Sequence, residues 1–125
     1  MEHNPAFLKL VEKAKEQVRE VTVGDVKRKL DAEEQFYFID VREDHEFAKD
    51  HAKGAIHLGR GILERDIETV VPQKGAEIIL YCGGGFRSAL AAESLGRMGY
   101  TNVSSMSGGI KAWRAADYPI GSSPA

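Results

Sequence analysis

Glu77-Ile78-Ile79-Leu80-Tyr81-Cys82-Gly83-Gly84-Gly85-Phe86-Arg87-Ser88 runs from a strand, across three glycines, into a helix. The apolar run Ile78 to Tyr81 is short and partly β-branched, which favours a buried strand over a helix. Three consecutive glycines end that strand and let the backbone turn tightly, with positive φ available. From Ser88 the pattern turns helical, with Ala91, Leu95 and Met98 on one face. Cys82 is the only cysteine of the chain. It faces loop amides and the start of the next helix, both of which favour a negative charge. Such surroundings stabilise a thiolate, the nucleophilic form of the side chain. A buried cysteine serving only as a small apolar residue would not need Gly83, Gly84, Gly85 and Arg87 beside it.

Working outward, strands alternate with helices. Phe36 to Ile39 reads as a central strand ending at Asp40-Val41-Arg42, and Val103 to Met106 as a last strand. Val21 to Val23 and Ala55 to Leu58 read as shorter strands. Helices are expected over Gly24–Asp31, Glu43–Lys49, Ile62–Val70 and Ile110–Ala115, with Asp50 to Gly54 as a loop. Trp113 reads as a core anchor, and Tyr118 to Ile120 as packing back on the domain. This alternation predicts a mostly parallel sheet covered on both faces. Ligand-facing residues of such sheets gather at the C-terminal strand ends, where Asp40 and Cys82 both lie. Asn4 and Pro5 read as the start of an extra N-terminal helix. Its stripe of Phe7, Val11, Ala14 and Val18 is expected to pack on its own domain. The organisation read from this is an N-terminal helical extension over 1–20, one domain over 21–120 and a flexible tail over 121–125. Met1 to Asn4 is expected to fray.

The composition excludes several classes. The chain has 125 residues, enough for one domain with a core, and a formal net charge of −2, which gives no electrostatic footprint for nucleic acid. No apolar run approaches membrane-spanning length, and no early segment resembles a signal peptide. A reactive thiol with no intrachain partner is easiest to keep in a reducing cytoplasm, the expected location. His45, His51 and His57 lack the spacing of a metal site, so no metal and no cofactor are expected. His51 or His57 remains open as a general base for Cys82.

Cys82-Gly83-Gly84-Gly85-Phe86-Arg87-Ser88 resembles the active-site loop of rhodanese-family sulfurtransferases. Asp40-Val41-Arg42-Glu43, Glu46-Phe47, His51, Gly54-Ala55 and His57-Leu58 resemble the family's upstream signature. Gly108-Gly109-Ile110 with Ala112-Trp113 resembles its closing signature. The resemblance implies a rhodanese-like three-layer α/β domain with a five-stranded sheet. It implies sulfur transfer through a Cys82 persulfide, from thiosulfate or another persulfide to cyanide or a thiol. Gly83, Gly84, Gly85, Phe86, Arg87 and Ser88 then cradle the substrate, while Asp40 and Arg42 support the loop from behind. Without the resemblance, Asp40 and Arg42 read as a surface ion pair. Arg87 either binds an anionic donor or braces the loop against an acid such as Asp40 or Glu43. The partners implied are small sulfur donors and acceptors or a persulfide-carrying protein, with a monomer or weak homodimer. Two-domain thiosulfate enzymes carry basic residues in the loop and an arginine at position 46. This chain has Gly83, Gly84 and Glu46, which points away from thiosulfate as the natural donor.

Three alternatives stand beside this one. A cysteine phosphatase or arsenate reductase uses a related cradle, but with five residues between Cys and Arg instead of the four from Gly83 to Phe86. A non-catalytic binding module would keep the fold and commonly lacks the cysteine. A redox sensor would cycle Cys82 through sulfenic acid without a resolving thiol in the chain.

Overall fold

A computed structural model of the chain describes residues 3–122. Five strands, β1 (Arg19–Val21), β2 (Tyr37–Asp40), β4 (Ile56–His57), β5 (Ile78–Tyr81) and β6 (Val103–Met106), form one parallel sheet in the order β1-β6-β5-β2-β4. The most apolar strand, β5, is central. Because side chains alternate across a strand, Ile78, Leu80 and then Cys82 face one layer, while Ile79 and Tyr81 face the other. The first layer holds α4 (Leu63–Val70) and α5 (Phe86–Arg97), through Leu63, Ile67, Ala91, Ala92 and Leu95. The second holds α2 (Val23–Asp31) and α6 (Gly109–Ala115), through Val26, Ile110 and Trp113. Trp113 is fully buried and donates from Nε1 to the Pro119 carbonyl at 2.8 Å, the anchoring role read from the sequence. The sheet and its two helical layers match the expected architecture.

Helix α1 (Pro5–Lys15) lies along α5, with Val11 and Ala14 buried. Eleven residues are marginal as an isolated helix. Burial of one valine contributes about 1.5–3 kcal/mol, so packing rather than propensity holds α1 in place. Asn4 occupies the N-cap position, but its side chain makes no capping hydrogen bond.

Several local expectations are corrected. Strand β1 ends at Val21, two residues before the expected end, because Thr22 is claimed as the cap of α2. Its Oγ1 accepts from the Asp25 amide, and the Asp25 carboxylate accepts from the Thr22 amide, both at 3.0 Å. The expected loop at Asp50 to Gly54 contains β3 (His51–Ala52), which pairs antiparallel with β7 (Ile120–Gly121). Gly121, read as the start of a tail, therefore belongs to a strand, while positions 123–125 lie outside the described residues. Of the four N-terminal residues expected to fray, Met1 and Glu2 lie outside the described residues. His3 stacks edge-on against Phe86, with ring centroids 4.6 Å apart. Helix α5 begins at Phe86, two residues before the helical pattern becomes visible in the sequence.

Candidate active site

Cys82 leaves the C-terminal end of β5, and residues 83–85 turn the chain into α5. The turn closes at Gly85, whose φ of +99° is a left-handed value that side chains resist. That geometry aims main-chain donors at the sulfur. The Gly85 amide lies 3.2 Å from Cys82 Sγ, and the Ser88 amide 3.3 Å. Amide donors converging on one atom form an anion-binding hollow, here centred on the thiol. Cys82 is 2 % exposed as a residue, yet it forms the floor of an open pocket of ≈ 370 Å³. Another hollow, of ≈ 430 Å³, is lined by Gln17, Ala92, Glu93, Gly96 and Arg97, none of them a thiol or hydroxyl nucleophile.

The bowl is held from outside by the start of α6. The Ile110 amide donates to the Cys82 carbonyl at 2.9 Å, and the Lys111 amide to the Gly83 carbonyl at 3.1 Å. These bonds direct the Cys82 and Gly83 carbonyls toward α6, and the trans peptides turn the following N–H groups the opposite way. The approach is close enough to require Gly109. A Cβ at Gly109 would stand 2.4 Å from the Cys82 carbonyl oxygen and 2.6 Å from that of Gly83. Of the Gly108-Gly109 pair singled out in the sequence, Gly109 is thus a packing requirement of the cysteine loop, while a Cβ at Gly108 would meet Ala112 of its own helix.

Behind the sulfur runs a buried hydroxyl chain. Ser88 Oγ is 3.5 Å from Cys82 Sγ and 2.8 Å from Ser105 Oγ, and neither serine is exposed. Ser105 was missed by sequence reasoning. Its signal was a serine placed among apolar neighbours in a core strand, where a hydroxyl needs a partner.

The pocket walls are lined by His3, Phe7, Glu46, Gly83, Gly84, Phe86, Arg87 and Lys111. Arg87 lines the pocket and pairs with neither Asp40 nor Glu43. Its Nη1 lies 3.3 Å from Glu46 Oε1, on the first turns of α3 (Asp44–Lys49). Burial opposes ionisation of Glu46, but the Glu43 amide and the Arg87 guanidinium outweigh it and hold its carboxyl below the usual carboxylate range. The histidines weighed as bases are occupied elsewhere. His51 Nδ1 meets the Phe47 carbonyl at 3.0 Å and His57 Nε2 the Arg42 carbonyl at 2.8 Å. Both rings stack on Phe47, at 3.8 and 4.7 Å.

Asp40 and Arg42 form a buried pair, not a surface one, at 0 % and 4 % exposure. Arg42 donates from its amide, Nε and Nη2 to the Asp40 carboxylate, and from Nη2 to the Asp50 carbonyl at 2.6 Å. Desolvation opposes the charge on Arg42, but Asp40 outweighs it and holds the guanidinium above its ordinary pKa. The pair meets Tyr81, the residue before Cys82, rather than the loop itself: Asp40 is in register with Tyr81, and the Arg42 guanidinium lies 5.9 Å from its ring. Burial and the Asp40 charge push the Tyr81 phenol up, so it stays neutral and accepts from the Ala52 amide at 3.0 Å.

The rhodanese-like domain matches residues 22–116, the stretch that holds β2 to β6, Cys82 with its loop, and α6. The chain belongs to the rhodanese-like family. The Bacillus subtilis protein YtwF is 32% identical over 103 residues, covering 82% of this chain and 97% of its own length. The thiosulfate sulfurtransferase PspE of Escherichia coli is 37% identical over 75 residues, covering 60% of this chain and 71% of PspE. Among solved structures, RPA3614 of Rhodopseudomonas palustris superposes with a TM-score of 0.85 at 26% identity, over 97% of this chain and 99% of that one. That protein is described as of unknown function and a possible tyrosine phosphatase. The rhodanese-like match begins after α1, so His3 and Phe7 of the pocket wall come from outside it. No helix among the described residues is long and apolar enough to cross a membrane.

Proposed function

We propose that this rhodanese-like protein is a sulfurtransferase that carries sulfur as a Cys82 persulfide. One observation supports it above the rest: the lone thiol sits at the floor of an open pocket with the Gly85 and Ser88 amides directed at its sulfur. In the first step the Cys82 thiolate attacks the outer sulfur of a donor. A sulfur–sulfur bond forms at Cys82, the donor's own bond to that sulfur breaks, and the electron pair leaves with the donor remnant. With thiosulfate the remnant is sulfite. In the second step cyanide or a thiol attacks the outer sulfur and the Cys82 thiolate is released. The persulfide's terminal sulfur is anionic, and loop amides facing it contribute about 1.5–3 kcal/mol per charge-assisted hydrogen bond. Asp40 and Arg42 act at one remove, by fixing the end of β2 against Tyr81.

A phosphatase reading draws on the name of the Rhodopseudomonas relative. It is disfavoured by the four-residue spacing from Cys82 to Arg87 and by the Glu46 carboxylate on the pocket wall, which engages Arg87 and would oppose a phosphate dianion. Turnover distinguishes the readings. The protein is expected to form thiocyanate from cyanide and a sulfane-sulfur donor, Cys82→Ser to fall to the uncatalysed rate, and an aryl phosphate to remain intact. Thiocyanate formation that survives Cys82→Ser, or aryl phosphate hydrolysis that depends on Cys82, would overturn the proposal.

A further inference from the structure

The wall of the cysteine pocket combines an aromatic surface with a sparse charge. His3 and Phe7 meet Phe86 at centroid distances of 4.6 and 6.2 Å, both edge-on, and His3 lies 5.3 Å from Phe7. Phe86 belongs to the cysteine loop and its helix. His3 and Phe7 come from α1 and the residue before its cap, outside the region that matches the family. Besides His3, the ionisable walls are Glu46, Arg87 and Lys111. Glu46 and Arg87 neutralise one another, and Lys111 has no ion-pair partner among the described residues. The pocket wall therefore offers one positive charge without an ion-pair partner among the described residues, at Lys111, beside three edge-on or tilted rings, and the Lys15 ammonium, itself paired with Glu20, lies 5.2 Å from the Phe86 centroid. A small dianion such as thiosulfate would leave the rings idle and bring two negative charges to one unpaired lysine. A monoanion with an apolar body would place its charge toward Lys111 and the bowl, and its body on the rings.

We infer that the N-terminal helix makes this site selective for organic sulfane-sulfur monoanions bearing an apolar or aromatic body, with Phe7 as the specificity-determining residue. This rests on the sulfurtransferase reading and names its donor class. The donor step is balanced for such a compound. Cys82 thiolate attacks the outer sulfur of an arenethiosulfonate, a new sulfur–sulfur bond forms, the bond to the sulfonyl sulfur breaks, and the electron pair departs with the arenesulfinate.

The test uses benzenethiosulfonate, methanethiosulfonate and thiosulfate, each with cyanide as acceptor. The two thiosulfonates share head group and charge and differ only in the body. The expected order of kcat/KM is benzene-, then methanethiosulfonate, then thiosulfate. Phe7→Ala is expected to lower the benzene-to-methane ratio about three- to tenfold, the range of a lost aromatic contact, and Phe7→Tyr to preserve it. Thermal melts of each variant show whether α1 is still docked. If Phe7→Ala undocks it, Phe7→Leu, which keeps the apolar packing without the ring, is expected to show the same fall. A wild-type protein that prefers thiosulfate, or a ratio unchanged in both Phe7→Ala and Phe7→Leu, overturns the inference while leaving the sulfurtransferase reading intact. No thiocyanate from any donor overturns the reading itself.

Discussion

Two loops leave the same sheet edge side by side, and they use their donors in opposite ways. After β2, Asp40 and Arg42 turn inward and satisfy each other with a fan of hydrogen bonds that solvent never reaches. After β5, the amides of Gly85 and Ser88 converge on a sulfur that opens to a pocket. The first corner is charged and closed. The second is built of main-chain donors around a sulfur that lines an open pocket, with Glu46, Arg87 and Lys111 on the pocket wall. Polar groups at a strand end are therefore not equivalent evidence of function: what separates them is whether the atom they converge on opens to a pocket.

The contrast can be broken from either side. The largest effect is expected at the closed corner. Asp40→Ala leaves a buried guanidinium without its carboxylate and should cost about 3–5 kcal/mol, measured by urea denaturation. A loss near zero would mean that the corner is less closed than its geometry indicates. The open loop should respond in the reverse sense. A side chain at Gly84 meets no atom within 4 Å, so Gly84→Glu should change stability by no more than about 0.5 kcal/mol. Its carboxylate would repel the anionic sulfur, and sulfur transfer should fall about a hundredfold, the scale of losing one oxyanion donor. An unfolded Gly84→Glu protein would show that the loop is structural too.

Much of this contrast was legible in the residue order. Ile78 to Tyr81 announced a buried strand, although the central place expected for Phe36 to Ile39 belongs to it and not to β2; the glycines announced the turn, and Asp40-Val41-Arg42 announced the neighbouring strand end. What escaped depended on contacts between distant segments. Arg87 could have met any acid, and only the placement of α3 selects Glu46. Strand β3 is two residues long and exists because Ile120 and Gly121 return to pair with it. Thr22 suited a strand by propensity, but its cap on Asp25 outweighed that preference. His3 and Phe7 showed only as the beginning of an amphipathic helix, with nothing local to place them over Phe86.

Smaller effects sharpen the comparison. Ser105→Ala removes the hydroxyl behind Ser88 and is expected to cost about 1 kcal/mol in a denaturant titration, with a slower alkylation of Cys82 by iodoacetamide at fixed pH. Unchanged alkylation would make the serine chain packing alone. The smallest effect concerns Glu46. Its folded pKa lies below its unfolded one, so its contribution is present above the unfolded value and is lost as pH falls through the folded value. Because the pair with Arg87 is about a third exposed, screening keeps that contribution below about 1 kcal/mol. Glu46→Gln should lower the melting temperature slightly at neutral pH and not at all in acid. An equal loss at both would assign the effect to packing.

The central claim is that Cys82 can hold one further sulfur within reach of the loop amides. Intact-protein mass spectrometry after incubation with benzenethiosulfonate, followed by cyanide, addresses it without a turnover assay. The account predicts the mass of one added sulfur atom, located on the peptide containing Cys82, which cyanide then removes. An unchanged mass in protein whose thiol is shown to be reduced, or an adduct that cyanide does not discharge, would contradict it.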